Sequence, residues 1–314
     1  MTIATASVSD RAPLDIDFAV IGGSYAGMSA ALQLVRARRR VLVVDAGQRR
    51  NRCVDEAGGT AHGFLGQDHR PPGQIAADAR AQLMRYPGVQ WLAGTAEDAQ
   101  VQPDGRLGFR VEGRSIVARR LVLATGVRDT LPPVPGLSER WGRSVFHCPY
   151  CHGYEMDGGP VGVIGAAPTA QHQGWMLPDW GDTTLFLNDA YAPTDEERAQ
   201  LAQRGTRIEA VPIDRIEGEA DVVLRDGRRI AMKGLFTQPR TQLASPVAAQ
   251  LGCAMADGPM GPHIQVDAVQ QTSVANVFAC GDAARAAGNV TLAVADGAMA
   301  AMAAHRASML DARA

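Results

Sequence analysis

Long apolar runs, lysine and cysteine are all scarce in this 314-residue chain. No run approaches the roughly 18 apolar residues needed to cross a bilayer. Met1 to Asp15 is polar, with no apolar core of secretory length, so neither a membrane span nor a leader is expected. Charge of either sign is not in excess: Lys plus Arg is 31 against 33 for Asp plus Glu, which gives no case for a nucleic-acid or anionic-membrane partner. Lys233 is the only lysine, a bias that genomic base composition explains without any phosphate-binding role. Five cysteines, an odd number, point to a reducing compartment, and the expected location is the cytoplasm. Only one CxxC pair occurs, Cys148 and Cys151. A structural zinc ion wants four N or S ligands, and no second CxxC or CxxH pair supplies them, so no metal site is expected and the pair reads as redox-catalytic.

What is present is an ordinary globular composition, 46% hydrophobic and 20% charged, in a chain longer than one hydrophobic core usually organises. Two domains are expected. The apolar run Asp17 to Ile21 leads into Gly22-Gly23-Ser24-Tyr25-Ala26-Gly27, then Met28, Ala31, Leu32 and Val35 at helical spacing, then Val41 to Asp45. Strand, glycine turn, helix and strand ending in an acid make a dinucleotide-binding pattern. Gly22 permits the tight turn, Gly27 lets the helix approach the strand, the helix N-terminus offers N–H groups to a pyrophosphate, and Asp45 lies where an acid accepts ribose hydroxyls. Ser24 stands in the middle-glycine place. The Arg-rich loop Gln48 to Arg52 reads as solvated charge, and His62 either faces a site or caps a turn.

The theme repeats 143 positions later, from Gly22 to Gly165, in an eroded form. Ala167 takes the middle-glycine place, Gly174 and Pro178 oppose a long helix, and Asp189 would repel a 2′-phosphate. NADPH is therefore disfavoured at the second unit, while NADH is not excluded. Other expected elements are helices over Ile75 to Leu83, Glu196 to Arg204 and Val290 to Ser308, strands at Val89 to Leu92, Phe109 to Val111, Leu121 to Gly126 (ending in a small-residue turn), Thr184 to Leu187, Val222 to Leu224 and Thr272 to Asp282 (ending in Gly-Asp), and a hairpin at Asp226-Gly227. Cys53, Cys253 and Cys280 stand singly and read as inert thiols.

The order of the glycine turn with Asp45, Ala124-Thr125-Gly126, Cys148-Pro149-Tyr150-Cys151 after a proline-rich linker, and Val277 to Asp282 resembles the thioredoxin-reductase class of flavoproteins across nearly the whole chain. That resemblance implies an α/β fold of two Rossmann-like, three-layer nucleotide-binding domains and a homodimer. Its FAD domain would be discontinuous, 1–127 with 245–314, and 128–244 would be an inserted NAD(P)-type domain carrying the CxxC. The FAD-binding set it implies is Gly22, Ser24, Tyr25, Ala26, Gly27, Asp45, Ala46, Arg52, His62, Ala124, Thr125, Gly126, Gly281, Asp282, Val290 and Thr291.

Thioredoxin reductases have small residues between the cysteines and an acid after the second. Here Pro149-Tyr150 intervenes and His152 follows. With the His62-Gly63-Phe64-Leu65-Gly66-Gln67-Asp68 segment and the weak second motif, the chain is more similar to the dithiol oxidases of gliotoxin and holomycin type. This implies FAD, molecular oxygen as electron acceptor and peroxide as product, a small-molecule dithiol as substrate, and service to a disulfide-containing natural product. It also implies that Cys148 meets substrate and Cys151 meets the flavin. His152, with an unperturbed pKa of about 6.5, is the expected base, and His147 the other candidate. The competing readings are a disulfide reductase fed by NADH or another donor, and a flavin-binding redox sensor.

Overall fold

A computed structural model describes residues 13–311; the polar stretch at the start of the chain lies almost wholly outside the described residues. The chain divides into two compact units. One comprises Met1–Arg50, Gln74–Arg128 and Thr241–Ala314, the other Asn51–Gly73 and Asp129–Arg240. The expected division between 1–127 with 245–314 and 128–244 did not anticipate that Asn51–Gly73 groups with the insert, because no shift in composition marks that excursion.

The first unit is built on a seven-stranded sheet. Leu14–Ile21 lies at its centre, parallel to Val41–Asp45 on one side and to Arg114–Leu123 on the other. Val89–Ala93 extends one edge in parallel, and Val277–Ala279 pairs in parallel with the last residues of Arg114–Leu123. Central strands covered on both faces read as continuous apolar runs, and Phe18, Ala19, Val20 and Ile21 are all buried. An antiparallel meander, Ala96–Val101 with Leu107–Val111, adds to the same sheet through the first half of Arg114–Leu123.

The ten-residue length of that last strand was hidden in sequence by Arg114, Arg119 and Arg120. Arg120 is nevertheless only 4% exposed, with its guanidinium 6.0 Å from the Phe18 ring centroid. Two helices, Tyr25–Arg36 and Val290–Asp311, pack together on small residues. A Cβ on Gly297 would fall 2.0 Å from the Ala26 carbonyl oxygen, and Ser29 Oγ donates to Val294 O at 2.6 Å. The alanine-rich sequence of the second helix thus allows close approach of two backbones.

The second unit holds a five-stranded, all-parallel sheet in the order Arg207–Glu209, Gly181–Phe186, Gly158–Ile164, Gly234–Phe236, Val145–Phe146. Its core is formed by Ile164, Phe186 and Leu235 on one side and Phe146, Val163, Leu185 and Phe236 on the other. A three-stranded antiparallel layer, Ile213–Glu217, Asp221–Leu224 and Arg229–Ile230, completes it. Helix Asp195–Gln203 opens on a reciprocal capping box between Thr194 and Glu197. As Gly174 and Pro178 led one to expect, the helix after the second glycine turn, Ala170–Met176, is only seven residues long.

Among the described residues no helix is long and apolar enough to cross a membrane.

Candidate active site

The cysteine pair follows directly from the short strand Val145–Phe146 of the second unit. Cys148 is extended (φ −115°, ψ 114°) and caps a single helical turn, Pro149–His152. Pro149 suits the first helical position, where no N–H is needed. The amides of Cys151 and His152 both donate to Cys148 O, at 3.1 and 3.3 Å, and that turn brings Cys151 Sγ within 2.6 Å of Cys148 Sγ. Side-chain sulfurs so placed exchange a disulfide for two thiols without moving the strand that carries them.

Three elements hold the turn. Gln173, on Ala170–Met176 and 3% exposed, donates from Nε2 to His147 O at 2.8 Å. Trp180 lies against Gly153, where an added Cβ would come within 2.7 Å of the indole. Tyr150 meets the same indole edge to face at 5.3 Å, yet is itself 72% exposed between the cysteines. Nothing in the sequence singles out Gln173; it becomes visible only once the degraded helix is seen to reach the redox turn.

A cluster of imidazoles adjoins the turn. His152 stacks on Phe146 (centroids 4.3 Å apart, 19° between planes) and meets His62 edge to face at 5.8 Å. His62 in turn meets His69 at 4.6 Å. His62 Nε2 lies 3.1 Å from Thr60 Oγ1 and 3.5 Å from Glu155 Oε1, with Nδ1 4.0 Å from Asp68 Oδ1. The structure therefore places His62, expected among the FAD residues, beside His152 in the second unit; Arg52 also belongs to that unit.

Burial, followed by the positive potentials of His62 and His147, pushes His152 down to about 4. This corrects the expectation of a base poised near neutrality. Passing a proton from a thiol near pKa 8.5 to such a ring costs roughly 6 kcal/mol. His152 is a neutral ring at neutral pH, stacked on Phe146. Burial is the leading cause that raises the three single cysteines, Cys53, Cys253 and Cys280, the last also facing Asp296.

The remaining candidates assemble in the first unit. Gly22 has φ +111°, and a Cβ there would lie 2.1 Å from Ala124 O; one on Gly27 would lie 1.7 Å from Gly22 O. Ser24, Tyr25 and Ala26 form the start of the helix, and Ser24 makes no side-chain cap. Asp45 Oδ1 accepts from Gly23 N at 3.2 Å and Gly47 N at 3.1 Å, ordering the turn around Ala46.

Ala124 N donates to Ile21 O, and after Thr125 comes Gly126 at φ +66°, with open space where a side chain would be. Gly281 (φ +67°) packs on Ala26, and Asp282 accepts from Arg50 Nη1 at 2.9 Å. Arg50, read from sequence as solvated charge, is thus a missed member of this group. Val290 and Thr291 open the last helix, whose N-terminus is capped by Asn289 Oδ1 accepting from Leu292 N at 2.9 Å. A side-chain-free cradle, a carboxylate at the strand end and an N-terminal helical turn with no side-chain cap fit a dinucleotide such as FAD.

The second glycine turn is different. A Cβ on Gly165 would meet Leu187 O at 2.6 Å and Phe186 O at 2.8 Å, and Asp189, at φ +55°, faces Arg225 at 3.6 Å.

A family model for the pyridine nucleotide-disulphide oxidoreductases matches residues 16–306. The thioredoxin reductase tcpT of Claviceps purpurea (strain 20.1) is 32% identical over 307 residues, which is 90% of this chain and 91% of that protein. Among solved structures, an oxidoreductase from Agrobacterium tumefaciens superposes with a TM-score of 0.90 at 53% identity, covering 95% of this chain and 99% of its own. HlmI superposes at 0.85 with 33% identity, over 95% and 96% of the two chains.

Proposed function

The chain belongs to the pyridine nucleotide-disulphide oxidoreductases, as a thioredoxin-reductase-like flavoprotein with FAD as cofactor, and from that premise we propose that it is an oxidase that closes a disulfide within a small-molecule dithiol. The observation that carries the reading is the braced cysteine pair, 2.6 Å apart, beside a second nucleotide unit whose loop and helix are engaged by their own chain.

In the proposed cycle Cys148–Cys151 begins as a disulfide. One substrate thiolate attacks Cys148 Sγ in line, the bond to Cys151 breaks, and Cys151 leaves as the thiolate. The second substrate sulfur then attacks the first, displacing Cys148 and closing the substrate disulfide. Two electrons have passed to the cysteine pair and two protons have left the substrate. Because His152 alone is a weak base, those protons pass to the group that His152 forms with His62 and Glu155, whose Oε1 lies 3.5 Å from His62 Nε2. Tyr150 and Tyr154, both largely exposed beside the turn, offer ring faces to an apolar substrate. Bound FAD would supply a two-electron acceptor for the reduced cysteine pair and a route from there to molecular oxygen, with peroxide as the product. Its proposed holders are Gly22, Ser24, Tyr25, Ala26, Gly27, Asp45, Ala124, Thr125, Gly126, Gly281, Asp282, Val290 and Thr291, with Arg50 orienting Asp282.

The test is oxygen uptake by the purified yellow protein with a dithiol and no pyridine nucleotide. Stoichiometric peroxide is expected; strict dependence on NADPH would overturn the reading. The name of the Claviceps relative favours a second reading, a disulfide reductase. Rapid anaerobic bleaching of the flavin by NADH, with no oxygen uptake on dithiols, would select it.

A further inference from the structure

The sequence gives no metal site because no ligand pair stands at metal-binding spacing from the CxxC, but the fold brings ligands from a distance. We propose that His62 Nε2, a ring nitrogen of His152 and a carboxylate oxygen of Glu155 form a binding site for one zinc-class divalent cation beside the redox turn. Ligand atoms from these three residues lie within 4.8 Å of one another. The His62 Nε2 to Glu155 Oε1 separation is 3.5 Å, close to the edge of roughly 3.3 Å between ligands of a tetrahedral ion with bonds near 2.0 Å.

The surroundings complete the argument. Asp68 lies on the other side of the His62 ring, Oδ1 4.0 Å from Nδ1, beyond direct hydrogen-bond reach but near enough for its negative charge to favour a cation at the site. In the tautomer that carries its proton on Nδ1, the Nε2 lone pair faces the Glu155 carboxylate, an arrangement that a cation relieves. Glu155 Oε2 is buried and has no hydrogen-bond partner among the described residues, so the carboxylate has ligating capacity in reserve. Thr60 Oγ1, 3.1 Å from Nε2, rotates away or joins the ion.

Two imidazoles and one carboxylate select zinc over calcium or magnesium. Three protein ligands leave a fourth position open, and a thiolate is its preferred occupant. A dithiol captured there is held as a metal ligand instead of attacking Cys148. The site is thus inhibitory, reversed by chelation, and its existence does not depend on which redox direction the enzyme runs.

The decisive experiment is equilibrium dialysis of the oxidised holoenzyme against zinc chloride, with metal counted by mass spectrometry. One zinc per chain at micromolar affinity is expected, undisplaced by a hundredfold excess of magnesium or calcium. Glu155→Gln and His62→Gln should each weaken binding at least tenfold. If His62→Gln does not fold, His152→Asn should weaken it to the same degree, because it removes another of the three ligands. A double Cys148→Ser, Cys151→Ser protein should bind as the parent does. Absence of bound zinc, equal affinity in the parent and Glu155→Gln, or loss of zinc on removing the cysteines would each overturn the proposal; the last would assign the metal to the thiols.

Discussion

The two glycine turns share a pattern displaced by 143 positions but do different work. Gly22 takes a positive φ and Gly27 lets the helix come onto the turn; position 170, equivalent to Gly27, is alanine, and Gly165 is packed against the carbonyls of its neighbouring strand. Asp45 closes its strand with a carboxylate that organises two turn amides, whereas its counterpart Asn188 accepts from Ile213 N at 3.1 Å. The first helix runs twelve residues; the second runs seven and turns Gln173 to the carbonyl of His147. The lesson is that a βαβ unit keeps its outline when its ligand-facing groups are bonded to its own chain, and that the second unit braces a redox turn.

Experiments can break or sharpen that contrast. The largest effect is expected at the turn itself: Cys148→Ser and Cys151→Ser should each reduce dithiol-dependent oxygen uptake to background while leaving FAD content at the parent level. Loss of flavin instead would show that the pair is structural.

Gly27→Val should come next. Its Cβ has no room beside Gly22 O, so a cost of about 3 kcal/mol and loss of FAD are expected in thermal melts and flavin absorbance. Ala170→Gly at the equivalent position should cost only about 1 kcal/mol of helix propensity and leave FAD unchanged. Equal flavin loss in both would erase the contrast between the two units.

A pH series tests His152. Its folded pKa of about 4 lies below the unfolded value of about 6.5, so the unfolded chain binds the extra proton between those values. Folding stability must therefore fall as pH drops from about 6.5 to 4, by about 3 kcal/mol from this ring. In chelator, His152→Phe should flatten that part of the urea-midpoint profile; an unchanged slope would mean that the ring is not held neutral.

Smaller still, Gln173→Leu should cost about 1 kcal/mol and shift the reduction potential of the cysteine pair without altering FAD content. An unmoved potential would reduce the brace to packing. Asp282→Ala, which also removes the Arg50–Asp282 pair, should weaken FAD retention on dilution; full retention would remove Asp282 from the cofactor set.

How much of this was legible in the sequence follows from what lies close together along the chain. The α/β class, both glycine turns, the weakness of the second and the CPYC turn all depend on neighbours within about twenty residues, and periodicity and spacing expose them. The long strand Arg114–Leu123 escaped notice because a buried arginine breaks the apolar pattern. His62 beside His152, Gln173 on His147 O and Arg50 on Asp282 join residues separated by 90, 26 and 232 positions, and no local pattern encodes them. The neutrality of His152 was equally hidden, since residue type sets a reference pKa and only burial displaces it.

The contact of Gly297 with the Ala26 carbonyl has a consequence for how the chain is made. The second unit has all its residues by Arg240, but the first lacks both the strand Val277–Ala279 and the helix that closes over Ala26 until almost the whole chain has been synthesised. On a translating ribosome the redox turn is therefore ready before its flavin unit can be, and a nascent chain stalled before residue 277 should expose an unfinished sheet to chaperones while already displaying the CPYC turn.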